Sequence, residues 1–453
     1  MTCLARLLVV EREPEQGAES LSQKLGKRGY HVRTARTGVE ALTMAAAGEF
    51  EIAVIDADGA DGFGLPDAIR RGASTGDMSV LMISGVVPPQ TRGIDDVLLR
   101  PYPDILLLKR LEALVRLHVM RGEWAQRVRT SAEFGVNNLA DADPDLEIND
   151  ARVLLAGGNK SLIGRIASAV GGVADIAVAA SPSEVMHRLL ETEFDAVLAA
   201  VEDKAVPVLD TIGDIRRTPS LVSLPLMLFA GPNSFADPED PFRAGADDVV
   251  YHPWVAADIA RRTMIQIRQR RCRQMMRRHY RAPRATGTTD GLTGLYSHAF
   301  LHAHLKRLLE AARRRGTALS VGVLEIADIA RINGAVGYVA GDDVLRQMGG
   351  LISALLRGQD LPARDGGNRF CVVLPSTGLD QARTVMSRLA SVAGFTDFAV
   401  SGRLDSVKLH ALTGCAAVEP DDTPEGMIAR ARADLQTRSQ SDAGAKKSVA
   451  IGA

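Results

Sequence analysis

The same alternation of short apolar strands and helical segments occurs twice in the first 270 residues, and this repeat constrains the fold most. Between Arg6 and about Leu117, the strand-like runs are Leu7–Val10, Glu51–Ile55, Val80–Ile83 and Val97–Leu99. From Ala151 to about Gln269 they are Val153–Ala156, Ala196–Ala199, Leu226–Phe229 and Val249–Val250. Strands that alternate with helices form parallel, doubly wound sheets. We therefore expect two such α/β domains, at 1–125 and 151–270, joined by a linker at 126–150.

Functional side chains of a doubly wound sheet lie at the carboxyl ends of its strands. In the first copy these positions hold Glu11, Asp56, Ser84 and Arg100. The set resembles the phosphoacceptor pocket of response-regulator receiver domains. The resemblance implies that Asp56 accepts a phosphoryl group, that Ser84 senses it, and that Glu11 helps to bind Mg²⁺. Arg12 and Arg100 depart from the family pattern, which has an acid and a lysine there, so a receiver fold kept only for packing is the alternative.

The corresponding positions of the second copy hold no nucleophile. Gly157 and Gly158 replace the acid pair, Ala200 replaces the acceptor, Ala230 the hydroxyl residue, and His252 the lysine before proline. We expect His252 to be a packed or capping residue rather than a ligand. This domain is predicted to provide a docking or dimerisation surface.

The C-terminal third contains a glycine pair, Gly366-Gly367, ahead of the apolar run Phe370–Leu374, which is typical of a hairpin between two strands. Upstream lie Asp290–Leu295, a predicted strand at Leu319–Ile326, and Gly337-x-x-x-Gly341-Asp342 at the start of an apolar helix. The order and spacing of these motifs, over 286–450, closely resemble the GGDEF domain of diguanylate cyclases, which condense two GTP molecules into cyclic di-GMP. We therefore expect a GGDEF domain at 290–453, preceded by a linker at 271–289.

The residues that carry catalysis in that family are largely replaced. The loop consists of Gly366, Gly367, Asn368, Arg369 and Phe370, and the first strand has Glu325 followed by Ala327, where the family holds two divalent ions with carboxylates. At about 4 Å and an effective dielectric of roughly 20, a unit charge pair is worth about 4 kcal/mol, so a guanidinium beside a metal repels it strongly. The phosphate-binding positions are Ala330, Ser441 and Ala445. We expect no catalytic residues, no catalytic metal and no synthesis.

Two sets of binding residues survive. Arg357 and Asp360 form an Arg-x-x-Asp motif where active family members carry an inhibitory cyclic di-GMP site, and Arg388 has the separation expected of its second arginine. Arginine forks suit phosphate and guanine, while an aspartate accepts from the guanine N1 and N2 edge. The alternative is a solvated ion pair. Asn333 and Asp342 lie where the family contacts guanine; the alternatives are a turn asparagine and a helix N-cap.

Composition and charge bear on nucleic-acid binding, membrane insertion and secretion. The net charge is -1, and the arginine-rich stretch from Arg261 to Arg278 has helical apolar spacing, so we predict a connecting helix rather than a nucleic-acid site. No apolar run approaches the about 18 residues of a membrane span, and Glu11, Arg12 and Glu13 interrupt any signal-peptide pattern. The four cysteines lack metal or disulfide spacing. These features predict a cytoplasmic protein.

The sequence therefore predicts a catalytically inactive receiver-receiver-GGDEF response regulator, a homodimer that acts as a receptor for cyclic di-GMP. Resemblance to a cell-cycle regulator of this architecture implies a polar adaptor that works with cell-cycle regulators and a regulated protease. Two alternatives stay open: a weakly active diguanylate cyclase that uses Glu325, and a dimeric scaffold that needs no ligand.

Overall fold

The computed structural model describes residues 5–12, 19–48, 50–57, 62–72, 78–88, 92–136, 150–157, 160–201, 206–218, 220–281, 287–402 and 405–450. Its residues divide into two compact units. The N-terminal unit comprises the described residues within 5–118 and 143–272, and the C-terminal unit those within 119–142 and 273–453. Among the described residues, no helix combines the length and apolar character needed to cross a membrane.

The first sheet of the N-terminal unit is parallel, with strand order β2-β1-β3-β4-β5. Its strands are β1 (Arg6–Val10), β2 (His31–Ala35), β3 (Ile52–Asp56), β4 (Ser79–Ser84) and β5 (Asp96–Leu99). Its helices are α1 (Leu21–Lys27), α2 (Gly38–Ala47), α3 (Leu65–Arg71) and the beginning of α4 (Asp104–Glu133). The doubly wound fold is confirmed. Strand β2 was missed because it lies at the sheet edge and three of its five residues are polar, so it forms no apolar run.

The second sheet has the same order, β7-β6-β8-β9-β10, so the internal duplication is confirmed. Its strands are β6 (Arg152–Ala156), β7 (Asp175–Ala179), β8 (Ala196–Ala200), β9 (Leu226–Ala230) and β10 (Asp248–Tyr251). The helices are α5 (Lys160–Val170), α6 (Pro182–Glu191), α7 (Val206–Arg217), α8 (Asp240–Ala244) and α9 (Ala256–Arg281).

Buried charges occupy matching positions in the two copies. Arg110 lies 3.3 Å from Asp96 in the first copy, and Arg262 lies 3.6 Å from Asp248 and 3.0 Å from Asp258 in the second. All five side chains are buried. Burial raises the pKa of Asp248 and of Asp258 to about 7, and the Arg110 charge opposes the rise in both. Several arginines of α9 therefore serve ion pairs within this unit.

The C-terminal unit has an antiparallel sheet of order β12-β13-β11-β14. Its strands are β11 (Leu319–Ile326), β12 (Leu361–Gly366), β13 (Arg369–Pro375) and β14 (Ala411–Ala417). The helices are α10 (His298–Arg315), α11 (Ile329–Val336), α12 (Tyr338–Leu355), α13 (Leu379–Phe395) and α14 (Pro424–Ala450). The predicted strand at Leu319–Ile326 and the glycine hairpin are confirmed. Gly366 and Gly367 have φ angles of 107° and 56°, which a turn of this kind needs from glycine.

The predicted linkers need correction. Helix α4 continues through Glu133, and Trp124, Arg127 and Thr130 are buried, so residues 126–133 are part of the packed C-terminal unit rather than a linker. Helix α9 extends through residues 271–281, so the connecting helix predicted from Arg261 to Arg278 is confirmed, and the first part of the linker predicted at 271–289 is helical.

Candidate functional site

The Arg-x-x-Asp motif forms a turn between α12 and β12, and we call residues 357–360 the arginine turn. The backbone N–H of Arg357 donates to Oδ2 of Asp360 at 2.9 Å. Arg388, on α13, donates from Nη2 to the carbonyl of Leu355 at 2.9 Å. Because Leu355 lies two residues before Arg357, the structure brings both predicted arginines to the C-terminal end of α12. Both are exposed.

Asp360 lies beneath this surface rather than on it. Its exposed fraction is 1%, and its Oδ1 is buried without a hydrogen-bond partner among the described residues. Burial raises the pKa of Asp360 to about 6, and its bond from the Arg357 amide opposes the rise. In this conformation the carboxylate holds the arginine turn and is closed to solvent, so a direct contact of Asp360 with guanine stays a prediction.

A buried polar network supports the turn from the side of α4. Arg127 donates from Nη2 to the carbonyls of Gln359 and Asp360, at 2.9 and 3.0 Å, and from Nε to Glu123 at 2.8 Å. Glu123 Oε1 also lies 2.9 Å from Nε2 of His304. Sequence reasoning missed this network. The available signal was the helical spacing of Glu123, Arg127 and Thr130, which places three polar residues on one face of α4.

The glycine hairpin lacks the ligands for the two divalent ions that the family resemblance implies. Asn368 donates from Nδ2 to the carbonyl of Ile326 at 2.8 Å, so its side chain is bound to the backbone. Arg369 lies directly opposite Glu325 in the pairing of β11 and β13. A single carboxylate that faces a guanidinium does not suit a pair of hard cations. The residues present therefore do not fit the catalytic metals.

Arg364 holds the hairpin to the Asp290–Leu295 segment. Its Nη1 donates to both carboxylate oxygens of Asp290 at 3.3 Å, and its Nη2 donates to the carbonyl of Gly367 at 3.0 Å. These bonds fix the backbone of the hairpin relative to that segment.

The residues predicted to contact guanine lie at adjoining points of α11 and α12. Asn333 packs so closely over Gly341 that any side chain at Gly341 would collide with it. The Oδ1 atom of Asn333 is buried and has no hydrogen-bond partner among the described residues. Asp342 is exposed, and α12 begins at Tyr338 with Gly337 as its N-cap. The alternative of Asp342 as an N-cap is therefore wrong.

In the first receiver copy, Glu11, Asp56 and Arg100 line one cleft of about 520 Å³, as predicted. Arg100 binds both oxygens of Asp56, at 3.0 and 2.7 Å. Glu11 accepts from the amides of Leu21 and Ser22 at the start of α1. Its carboxylate is thus used as a helix cap, and the arginines in the cleft add positive charge, so these residues do not fit Mg²⁺.

Ser84 is separate from that cleft. It is completely buried, and its Oγ accepts from the amide of Val86 at 3.2 Å. In this conformation Ser84 stabilises a local turn.

In the second copy, Gly157 and Ala200 help to line an apolar cavity of about 210 Å³. Ala230 is buried at the end of β9. His252 is exposed and contacts Trp254 edge-on, with 5.3 Å between ring centroids, so it is not a buried, packed histidine. Gly158 lies outside the described residues.

Comparison with known proteins supports this architecture. Residues 287–445 match the family model "Diguanylate cyclase, GGDEF domain". The chain is 27% identical over 436 residues to the response regulator PleD of Caulobacter vibrioides, across 94% of this chain and 95% of PleD. The diguanylate cyclase DgcP of Pseudomonas aeruginosa is 35% identical over 153 residues, 34% of this chain and 22% of DgcP.

A solved structure, the GGDEF domain of DgcB from Caulobacter crescentus in complex with c-di-GMP, is 23% identical with a TM-score of 0.34. It covers 36% of this chain and 92% of that chain. The chain thus has two receiver-like, parallel-sheet α/β domains followed by a GGDEF domain, and it is related to response regulators of cyclic di-GMP signalling.

We expect Arg100 to suppress phosphorylation of Asp56. A lysine lacks the planar fork with which Arg100 binds the two carboxylate oxygens through separate N–H groups, so Arg100→Lys should increase labelling by acetyl phosphate about tenfold, the loss of one charge-assisted bond. The measurement is incorporation of radiolabelled phosphate into the full chain. Equal labelling of wild type and Arg100→Lys, or label that persists after Asp56→Asn is added, would contradict this assignment.

The buried Asp360 should make stability depend on pH. Because its pKa is raised to about 6, the folded protein binds the proton more tightly than the unfolded chain, so the stabilisation is present at low pH and lost as pH rises from about 4 to 6. Relative to Asp360→Asn, wild type should lose about 3 kcal/mol of unfolding free energy over this range. Urea denaturation of both proteins at several pH values measures the difference. A difference that stays constant with pH would show that Asp360 is solvated.

Proposed function

We propose that the protein is a receptor for cyclic di-GMP that does not synthesise it, and that the ligand binds at the arginine turn. The observation that carries this proposal is the meeting of two exposed arginines, Arg357 and Arg388, at the end of α12. The guanidinium of Arg357 forms no hydrogen bond or ion pair among the described residues, so it is available to a ligand.

The chemistry of the ligand suits this pair of arginines. Cyclic di-GMP carries two phosphodiester charges and two guanine bases, and an arginine fork can bind a phosphate in a bidentate manner or stack on a base. Arg388 already donates to the Leu355 carbonyl, which orients its guanidinium beside the turn. We assign these two residues as the ligand contacts.

Asp360 takes the role of a positioning residue. Its bond from the Arg357 amide fixes the backbone from which the arginine side chain projects. Arg127 holds the same segment through the carbonyls of Gln359 and Asp360. A preformed turn loses less conformational entropy on binding, which favours affinity.

The absence of synthesis is proposed from the charges of the catalytic loop. Arg369 opposes Glu325, the Asn368 amide is bound to the backbone, and Ala327 and Ala330 supply neither a metal ligand nor a phosphate contact. Metal ions and cationic side chains supply most of the transition-state stabilisation in phosphoryl transfer. The alternative of a weak cyclase would rest on Glu325 alone.

A second candidate function is the binding of GTP without turnover. Asn333 offers a buried amide oxygen without a partner, and the exposed carboxylate of Asp342 follows Gly341, over which Asn333 packs. Such a pair matches the donors of a guanine edge. Retention of radiolabelled GTP that is lost in Asn333→Ala would support this function, and equal retention by both proteins would contradict it.

The finer biological assignment rests on resemblance alone. The combination of a partly kept first receiver, an empty second receiver and a replaced catalytic loop with an Arg-x-x-Asp motif resembles PopA, a bacterial cell-cycle regulator. That resemblance implies a dimeric adaptor at a cell pole which, with cyclic di-GMP bound, helps to deliver a substrate to a AAA+ protease. The apolar cavity of the second receiver is consistent with a docking role.

Arg357→Gly and Arg388→Ala should each weaken binding of cyclic di-GMP by about tenfold or more, since each removes a charge-assisted contact worth roughly 1.5–3 kcal/mol. Calorimetric titration of the full chain measures the affinity, with circular dichroism as the folding control. Arg346→Ala is the matched control, because Arg346 is an exposed arginine of α12 that pairs with Asp343 and lies outside the arginine turn. If all four proteins bind with equal affinity, or if none binds, the receptor proposal is contradicted and the dimeric scaffold that needs no ligand becomes the better explanation.

The purified protein should produce no cyclic di-GMP from GTP with Mg²⁺ or Mn²⁺, because one carboxylate opposed by a guanidinium cannot hold the catalytic ions. Chromatography of the nucleotide products measures the turnover. Steady product formation that Glu325→Ala abolishes would establish the cyclase alternative instead.

A further inference from the structure

Three side chains that could bind a metal ion meet on a face of the C-terminal unit that the proposed function does not use. His298, His302 and Asp365 each offer one ligand atom, and these atoms lie within 4.8 Å of one another. The two histidines are four residues apart on α10, with 4.3 Å between ring centroids. Asp365 belongs to β12, one residue before the glycine hairpin.

Their spacing is close to that of a tetrahedral ion site. The Nδ1 of His298 lies 3.1 Å from Oδ1 of Asp365. Zinc bonds of about 2.0–2.1 Å place neighbouring ligands roughly 3.3 Å apart, so this pair needs little adjustment. His298 is 58% exposed at the side chain, which gives an ion a path from solvent, whereas the Asp365 side chain is completely buried.

Surrounding residues hold the candidate ligands as the outer partners of a metal site would. Arg432 donates to Oδ2 of Asp365 and leaves Oδ1 toward His298. The Nδ1 of His302 lies 2.9 Å from Oε1 of Glu425. When Nδ1 donates to that carboxylate, Nε2 carries the lone pair, and this atom is buried without a hydrogen-bond partner among the described residues. A histidine bonded to a carboxylate through one nitrogen commonly binds metal through the other.

We propose that His298, His302 and Asp365 form a binding site for a divalent transition-metal ion, with Zn²⁺ as the best match. Two imidazoles and one carboxylate favour zinc over Mg²⁺ or Ca²⁺, which prefer oxygen ligands alone. The fourth position is left for water. A cleft of about 520 Å³, lined in part by His302, Glu425 and Lys306, gives solvent access on this side.

An ion here would connect α10 to β12 next to the glycine hairpin, and through Glu425 to the start of α14. It would stabilise the folded unit by binding it in preference to the unfolded chain. This site shares no residue with the arginine turn, so its test does not depend on whether the proposed function is correct.

The test is a titration of the tag-free full chain with Co²⁺, followed by displacement with Zn²⁺. We expect one ion per chain, with visible absorption bands of a four- or five-coordinate Co²⁺ and without the near-ultraviolet band of thiolate ligation, which would report cysteine. His298→Ala and His302→Ala should each weaken binding about tenfold or more and remove a Zn²⁺-dependent rise in melting temperature.

His187→Ala is the matched control, because His187 is an exposed histidine whose Nε2 lies 3.4 Å from Glu191, one helical turn away. It should leave Co²⁺ binding unchanged. The proposal is overturned if wild type binds no Co²⁺, if the bound ion shows thiolate ligation, or if neither His298→Ala nor His302→Ala weakens binding. In each of these cases, the contacts of His298 with Asp365 and of His302 with Glu425 would be ordinary hydrogen-bonded pairs without a metal ion.

Discussion

The arginine turn depends on one completely buried guanidinium, that of Arg127. It bonds to the carbonyls of Gln359 and Asp360, pairs with Glu123, and lies 5.8 Å from the centre of the Tyr296 ring. A buried charge is tolerated only when its partners are all present, and removal of one partner costs about 3–5 kcal/mol. The C-terminal part of α4 is therefore integral to the unit that carries the turn, and the positions of Arg357 and Arg388 follow from it.

The same domain combines an ordered hairpin with little negative charge at its tip. Arg364 joins the hairpin to Asp290, and β11 pairs with β13 in register from Leu319 to Glu325. At the tip, Arg369 lies opposite Glu325 and Asn368 is bound to the backbone. Binding needs fixed positive charge at the arginine turn, whereas synthesis needs clustered negative charge at the hairpin. Because the two activities need opposite charges at different places, we propose that the domain binds cyclic di-GMP without synthesising it.

Local sequence patterns predicted the strands and helices well, but they did not predict which polar side chains are buried. Strand β11, the glycine hairpin and both doubly wound sheets followed from apolar periodicity and turn residues, which are short-range signals. The burial of Asp360 and the role of Arg127 did not, because Arg127 and Asp360 are 233 residues apart in the sequence. The same limit explains why residues 126–133 were taken as a linker and why the capping role of Glu11 at α1 was missed. A local pattern can place polar side chains on one face of a helix, but it does not identify partners that are distant in the sequence.

The central claim is that cyclic di-GMP occupies the arginine turn and not a nucleotide site of the catalytic hairpin. Equilibrium dialysis of the wild-type full chain with radiolabelled cyclic di-GMP, in the presence and absence of a large excess of GTP and Mg²⁺, tests it most directly. The account predicts saturable retention of the label that excess GTP does not reduce. No retention, or retention that GTP displaces, would contradict it.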